Sequence, residues 1–264
     1  LSSSSAASDV YKRQDHAIEC VEKFSKKDKP FFLHVCYTAP HYPLHAKPED
    51  IKKYTGKFRM GWDTMREQRY KRLIDMGLID ANWKLSGRDS RAYDWETANH
   101  KHEDLRMAVY AAMIDSMDQN IGRLMKAIRA NKGGDNTLVL FLSDNGGCSE
   151  EPGGRSPKIV PGPKEFYAAV GPSWGWAQNS PFRRYKSWAH EGGIATPCIA
   201  WWPGRVPRGG ITREVGHIID FMPTFLDLGA GSYPKEFKGN KILPVEGKSC
   251  LLYTSDAADE EDSV

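Results

Sequence analysis

The sequence predicts an α/β fold built from buried strands and amphipathic helices. Residues 137–142, Thr-Leu-Val-Leu-Phe-Leu, suit a fully buried strand that leads directly into Ser-Asp-Asn-Gly-Gly. Residues 29–36 form a second short, nearly continuous apolar run, and residues 103–131 are the clearest amphipathic helix. Polar groups that follow a buried strand lie where open α/β sheets form their sites. We therefore expect the functional site at the carboxyl end of the strand 137–142.

The N-terminal part of the chain is predicted to contain a helix, a strand and a constrained loop. Residues 15–27 carry apolar side chains at helical spacing, and Asp15 can cap this helix. The strand 29–36 follows, and beyond it two prolines flank His41 and Tyr42. Because proline fixes φ and lacks a backbone donor, this loop is excluded from helix and sheet.

The next segment, residues 55–102, is rich in charge, Trp and Tyr and has little clean periodicity. Residues 66–77 fit one amphipathic helix that ends at its glycine. Long insertions at sheet ends often shape substrate entry. We therefore interpret the rest of the segment as an excursion from the core, with its charges on a solvated face.

The C-terminal half begins with the helix 103–131, which two glycines end. After the strand 137–142, residues 148–180 are dominated by Pro, Gly, Ser and Trp, which indicates a long loop at the site face. Residues 197–202 are a third predicted strand, and residues 220–229 a capped helix. The apolar stripe of the long helix comprises Val109, Met113, Ile114, Met117, Ile121, Leu124 and Ile128.

Composition restricts the classes of function. The chain has 264 residues, 40% of them hydrophobic, and a formal net charge of +3, which is typical of a globular protein with one sizeable core. No run of about eighteen apolar residues occurs, so no membrane span is predicted. Lys and Arg are scattered rather than gathered in a stripe, which does not support nucleic-acid binding. The five cysteines show no metal spacing, and His217 beside Asp220 is better explained as a helix cap than as a metal pair.

Both ends of the chain differ in character from the rest. They resemble translated sequencing-adapter ends found in assembled environmental reads, so we expect residues 1–14 to be a non-native leader and residues 250–264 a non-native tail. Residues 1–14 and 251–264 are then expected to pack on nothing. The alternative is a genuine Ser-rich leader and acidic tail, both solvated.

The pair Asp144 and Asn145, at the end of the strand 137–142, is a candidate metal site. Both side chains present oxygen, which suits Ca²⁺ or Mg²⁺ rather than a soft metal. The two glycines that follow let the backbone turn sharply away. The alternative is a simple turn, in which the two side chains only hydrogen-bond the loop backbone.

Two further residues are candidates for contact with an anion. A histidine held beyond a strand end, such as His41, can donate to an anion or transfer a proton. Lys186 offers a compact cation with three donors, which suits a tetrahedral oxyanion, and Glu191-Gly192-Gly193 follows it as a turn that permits close backbone approach. Both side chains are also consistent with ordinary surface groups.

Five segments, in this order, resemble the sulfatase family, specifically arylsulfatase-like members of the alkaline-phosphatase superfamily. They are residues 39–43, 109–118, 143–147, 185–194 and 220–224. The resemblance implies that residues 15–249 are a partial sulfatase catalytic domain. Its fold would be an alkaline-phosphatase-like α/β sandwich around a largely parallel sheet, truncated at both ends.

The resemblance also implies roles for single residues. Asp144 and Asn145 match two ligands of Ca²⁺, with Mg²⁺ as the alternative. His41 matches the histidine near the bridging or sulfate oxygen, and Lys186 the lysine that holds a sulfate oxygen, so both are expected to be catalytic and substrate-binding. The substrate would be a small-molecule or carbohydrate sulfate ester. The parent would be periplasmic or secreted and would need a formylglycine-generating enzyme.

One departure from the family pattern concerns the nucleophile. The family uses a formylglycine made from Cys or Ser in a Cys/Ser-x-Pro/Ala-x-Arg motif, and residues 198–202 come nearest but carry Trp202 where Arg is required. The paired aspartates of the family's first strand and its other lysine and histidine contacts are also absent. We therefore expect an internal fragment, inactive alone, with the nucleophile in a missing N-terminal part. The alternatives are a phosphodiesterase or phosphonate hydrolase of the same superfamily, and a non-catalytic binding pseudoenzyme.

Overall fold

A computed structural model describes residues 6–251, with side-chain environments from Lys12 onward. Within these residues the chain forms seven α-helices and four short strands. No helix in this range is long and apolar enough to span a membrane. The helices are α1 (Ala6–Phe24), α2 (Pro48–Tyr54), α3 (Gly61–Asp75), α4 (His100–Ala130), α5 (Gly171–Gln178), α6 (Glu191–Ile194) and α7 (Phe221–Leu228). The strands are β1 (Val139–Leu142), β2 (Cys198–Trp201), β3 (Glu236–Phe237) and β4 (Asn240–Lys241).

The chain divides into two compact units, of which the first ends at Arg208 and the second begins at Gly209. The second unit contains α7, β3 and β4, and α7 confirms the helix predicted at 220–229. Asp220 accepts hydrogen bonds from the backbone N–H groups of His217 (2.7 Å) and Lys248 (2.9 Å). This geometry confirms that the pair His217 and Asp220 belongs to a helix cap.

Helix α4 supplies one side of the main core of the first unit, close to the predicted bounds. Its Val109 and Met113 are buried against Leu44, Trp62 and Trp174. Toward its end, the same helix contributes to a second cluster with α1, β1 and β2. Most of the predicted apolar stripe therefore faces the core. The prediction is wrong for one member of the stripe, Ile114. Its side chain is exposed because it lies at the margin of the packed face.

The interpretation of residues 55–102 as a solvated excursion is wrong. Helix α3 begins earlier than predicted and places Trp62 and Arg66 in the core, with 0% and 1% of their surface exposed. The Arg66 guanidinium donates to the carbonyl oxygens of Trp176 (2.6 Å) and Pro181 (3.0 Å) and lies over the Trp176 ring. A buried charge is tolerated here because backbone carbonyls and the Ser86 hydroxyl accept hydrogen bonds from both terminal nitrogens, although Nε has no partner among the described residues.

The sheet differs from the largely parallel one that we expected. Strands β1 and β2 confirm the predictions at 137–142 and 197–202, but they pair antiparallel, with Val139 opposite Trp201. The second described sheet, β3 with β4, is also antiparallel. The strand predicted at 29–36 is wrong, since this segment has no regular secondary structure. Phe31, Leu33 and Val35 are partly buried against the second cluster without pairing in a sheet, whereas Phe32 is exposed.

The predicted boundary at the N-terminal end is also shifted. Helix α1 passes through residue 14 without a break, so Asp15 is an interior residue rather than the cap. Gln14 is fully buried and accepts a hydrogen bond from the Tyr37 hydroxyl. The expectation that residues 1–14 pack on nothing is therefore wrong at Gln14. The same expectation for residues 251–264 meets the structure only at Leu251, which is half-buried; residues 252–264 lie outside the described range.

Candidate active site

Backbone hydrogen bonds fix the loop that follows β1, and the two glycines in this loop make the close contact possible. Gly146 N–H donates to the Gly193 carbonyl oxygen (3.0 Å), and Gly147 N–H donates to Asn179 Oδ1 (2.9 Å). A Cβ atom on Gly146 would lie 1.8 Å from the carbonyl oxygen of Gly192. Glycine on both sides therefore lets the β1 loop and the start of α6 approach within backbone contact.

Asp144 and Asn145 lie in this loop, at the carboxyl end of β1 as predicted. The Asp144 carboxylate is exposed, whereas Asn145 Oδ1 is buried and has no hydrogen-bond partner among the described residues. A buried amide oxygen without a donor is unfavourable unless a ligand occupies it, and an oxygen ligand suits a hard cation. The Asn145 oxygen therefore fits one ligand of a Ca²⁺ or Mg²⁺ ion, of which Ca²⁺ takes about six to eight oxygens, and Asp144 precedes it in the same loop.

His41 and Lys186 meet, although 145 positions separate them in the chain. Lys186 Nζ lies 3.0 Å from His41 Nε2. The Lys186 backbone N–H donates to the Gly147 carbonyl oxygen (3.1 Å), which ties the lysine to the β1 loop. The structure thus joins two of the four predicted residues directly and anchors one of them to the loop that carries Asp144 and Asn145.

Three residues that the sequence analysis missed complete the cluster. Glu150 Oε2 lies 3.3 Å from Lys186 Nζ and accepts a hydrogen bond from Cys148 Sγ (3.2 Å). Hydrogen bonds from Cys148, Tyr42 and Lys186 hold the pKa of Glu150 below its usual range. The hydrogen bond to Glu150 raises the pKa of Tyr42, and burial raises the pKa of the Cys148 thiol to about 11. At neutral pH the cluster therefore contains a carboxylate and a neutral thiol.

These three residues could have been found in the sequence by their proximity to the predicted site residues. Cys148 and Glu150 directly follow the β1 loop, in a segment predicted to face the site, and Tyr42 is next to His41. Spacing rules for metal ligands did not find them, because those rules describe neighbours along the chain and His41 comes from a distant loop.

The protonation of His41 decides what the cluster can do. His41 Nδ1 lies 2.9 Å from the Tyr42 carbonyl oxygen. A carbonyl accepts only, so Nδ1 carries a proton and Nε2 of the neutral ring accepts from the Lys186 ammonium. The ammonium can bind an oxyanion without any change of protonation. His41 can donate to an anion only after Nε2 has also gained a proton.

Residues 13–232 match the family model described as Sulfatase. An arylsulfatase of Klebsiella aerogenes is 30% identical over 260 residues, which cover 92% of this chain and 55% of that protein. An uncharacterised sulfatase of Schizosaccharomyces pombe is 31% identical over 249 residues, or 86% of this chain and 44% of that protein. This chain thus spans about half the length of these two relatives.

Solved structures show the same fold. The crystal structure of Ps i-CgsB in complex with k-i-k-neocarrahexaose superposes with a TM-score of 0.59 at 22% sequence identity, covering 94% of this chain and 38% of that one. The family predicted from the five segments is confirmed by the model match, which extends over most of the sequence. The chain therefore belongs to the sulfatase family.

Proposed function

We propose that this chain forms the sulfate-binding part of a sulfate ester hydrolase. The observation that carries the proposal is the contact between Lys186 and His41, 3.0 Å apart, beside the β1 loop of a sulfatase-family chain. The sulfate group of the ester is anionic, and further negative charge develops on the leaving oxygen as the ester bond breaks. Once the substrate is bound, a positioned ammonium stabilises this charge more strongly than water does, because it needs no reorganisation during the reaction itself.

In this proposal Lys186 binds a sulfate oxygen, and His41 lies near the bridging oxygen. The Glu150 carboxylate now lies where an incoming anion would meet the ammonium. Substrate binding therefore turns Lys186 from Glu150 toward the sulfate. This movement also frees His41 Nε2 from its contact with Lys186, so that it can face the leaving oxygen.

Asp144 and Asn145 would hold a Ca²⁺ ion, or Mg²⁺, and the partnerless buried Asn145 Oδ1 supports this assignment. A bound divalent cation would supply positive charge next to the sulfate group. The rest of its coordination would come from other parts of the parent protein. The backbone hydrogen bonds of Gly146 and Gly147 support this role, because they fix the loop that carries both residues.

The nucleophile would be a formylglycine outside this chain, since the 264 residues lack its motif. We propose that the parent receives it from a formylglycine-generating enzyme and that the isolated chain is inactive. The substrate class is a small-molecule or carbohydrate sulfate ester. The neocarrahexaose bound in the structure of Ps i-CgsB supports the carbohydrate option.

The proposal is tested first by binding. Calorimetric titration of the chain with sodium sulfate should show binding that Lys186→Ala removes, whereas Lys158→Ala, at an exposed lysine, should retain it. Binding that both variants retain equally would refute the assigned role of Lys186.

Turnover is the second test. The chain and the product of its parent gene are each co-expressed with the formylglycine-generating enzyme and assayed with an aryl sulfate. We expect activity only from the parent. Calcium-dependent turnover by the chain alone would overturn the proposed mechanism, and a preference of the parent for a phosphodiester would support the phosphodiesterase alternative.

A further inference from the structure

We propose that His41, Cys148 and Glu150 form a binding site for a divalent transition metal of the zinc class, separate from the predicted Ca²⁺ ligands. One ligand atom from each side chain lies within 4.8 Å of the other two. A ring nitrogen, a thiolate sulfur and a carboxylate oxygen are a ligand set that Zn²⁺ and Co²⁺ accept, whereas Ca²⁺ and Mg²⁺ prefer oxygen alone. Three protein ligands leave a fourth position open to solvent.

The orientation of His41 already suits metal binding. Its Nδ1 is hydrogen-bonded to the Tyr42 carbonyl oxygen (2.9 Å), so the Nε2 lone pair points into the cluster. Metal-bound histidines are usually oriented in this way, with the second ring nitrogen donating to a carbonyl or carboxylate. The ring contact with Tyr42, at 4.2 Å between centroids, further limits rotation of the imidazole.

The cluster already surrounds a positive charge. The Lys186 ammonium lies 3.0 Å from His41 Nε2 and 3.3 Å from Glu150 Oε2, the same two atoms that would bind the metal. A metal ion would replace this ammonium and the proton of the Cys148 thiol. The flexible stem of lysine allows Lys186 to leave without movement of the backbone.

The backbone that carries Cys148 is held on both sides. The preceding Gly147 is bonded to Asn179 and Lys186 through its N–H and its carbonyl group. Helix α5 packs against the next peptide so closely that a Cβ on Gly175 would lie 2.8 Å from the Cys148 carbonyl oxygen. A ligand fixed in this way loses little conformational entropy when the metal binds.

The consequence is competition between metal and anion. The metal would take His41 and Glu150 and break the contact between Lys186 and His41, on which the proposed sulfate site depends. A zinc-class metal is therefore expected to inhibit sulfate binding. The metal site itself does not rest on the proposed function, because its three ligands are argued from geometry alone.

The test is titration of the complete 264-residue chain with Co²⁺, followed by absorption spectroscopy. We expect a near-ultraviolet thiolate-to-cobalt charge-transfer band, strong visible bands of a four-coordinate ion, and displacement of Co²⁺ by Zn²⁺. Cys148→Ser should abolish the charge-transfer band, and Glu150→Gln should weaken binding. The matched control is Cys36→Ser, because Cys36 Sγ lies 3.3 Å from His34 Nε2 and is another Cys–His pair.

Lys186→Ala separates the two proposals, because it should remove sulfate binding and yet tighten Co²⁺ binding severalfold by deleting the competing ammonium. Retention of the charge-transfer band in Cys148→Ser with its loss in Cys36→Ser would overturn the metal site. Absence of any such band at millimolar Co²⁺, or weaker Co²⁺ binding by Lys186→Ala, would overturn it as well. None of these results would bear on whether the chain binds sulfate.

Discussion

The substitution Gly146→Ala tests whether the β1 loop is locked against α6. An added Cβ would lie 1.8 Å from the Gly192 carbonyl oxygen, whereas real Cβ atoms essentially never approach within 3.0 Å. One backbone must therefore move by about 1.2 Å, the difference between these distances. The α6 side cannot easily yield, since a Cβ on Gly193 would itself lie 2.0 Å from the Trp188 carbonyl oxygen.

The expected magnitude follows from three contributions. Separation of the loops breaks the bond from Gly146 N–H to the Gly193 carbonyl, which contributes about 1 kcal/mol net. Strain from overpacking a tight contact costs about 1 to 3 kcal/mol. The lower entropy of alanine in the unfolded chain offsets roughly 0.5 kcal/mol. The net loss of unfolding free energy should therefore be about 1.5 to 3.5 kcal/mol.

The assay is equilibrium unfolding in urea, followed by tryptophan fluorescence. The matched control is Gly122→Ala in the exposed face of α4, where a Cβ would have no atom within 4 Å. This control should raise the unfolding free energy by about 0.5 to 1 kcal/mol, because alanine favours a helix. An unchanged urea midpoint for Gly146→Ala, with an unchanged m-value, would refute the reasoning.

Three other predictions concern the core, the second unit and the site. Arg66→Lys should lower the unfolding free energy by about 3 kcal/mol, because a lysine ammonium cannot donate to all the carbonyl oxygens that the guanidinium contacts. The control Arg72→Lys, on the exposed face of α3, should change the unfolding free energy little. Two backbone N–H groups hold the pKa of Asp220 below its ordinary value of 3.8. The stabilisation that the Asp220 carboxylate gives to the folded state is therefore complete above this pH, and it is lost as the pH falls through the lower pKa of the folded state. Asp220→Ala should therefore lower the free energy of unfolding, measured in urea, by about 1 kcal/mol at pH 7 and by less near pH 3. An equal loss at both pH values would contradict the role of Asp220 as a helix cap. In the sulfate ester hydrolase that we propose, Lys186→Ala should lower kcat for an aryl sulfate by roughly a hundred- to thousandfold, and a loss confined to KM would argue against a role in the transition state.

Local patterns in the sequence were sufficient for the elements whose signal lies within a few neighbouring residues. The helix α4, the strand β1 with an acid and an amide at its end, and the cap at Asp220 were all predicted within a few residues of their observed bounds. Helical periodicity, a short apolar run and a capping residue each depend on contacts close along the chain. The family motifs were recognised for the same reason, since each is a short contiguous segment.

Only the tertiary structure decided which distant residues meet. From its charge alone, Arg66 was expected on a solvated face. Its burial is possible because carbonyl groups from α5 and from the loop after it accept its hydrogen bonds. The apolar run at 29–36 could not reveal whether it pairs with a strand or packs on other elements, because either environment buries apolar side chains, as the structure does for Phe31, Leu33 and Val35. Cys148 and Glu150 became site candidates only when His41 and Lys186 were placed beside them, because the chain folds back over more than a hundred residues to form that contact.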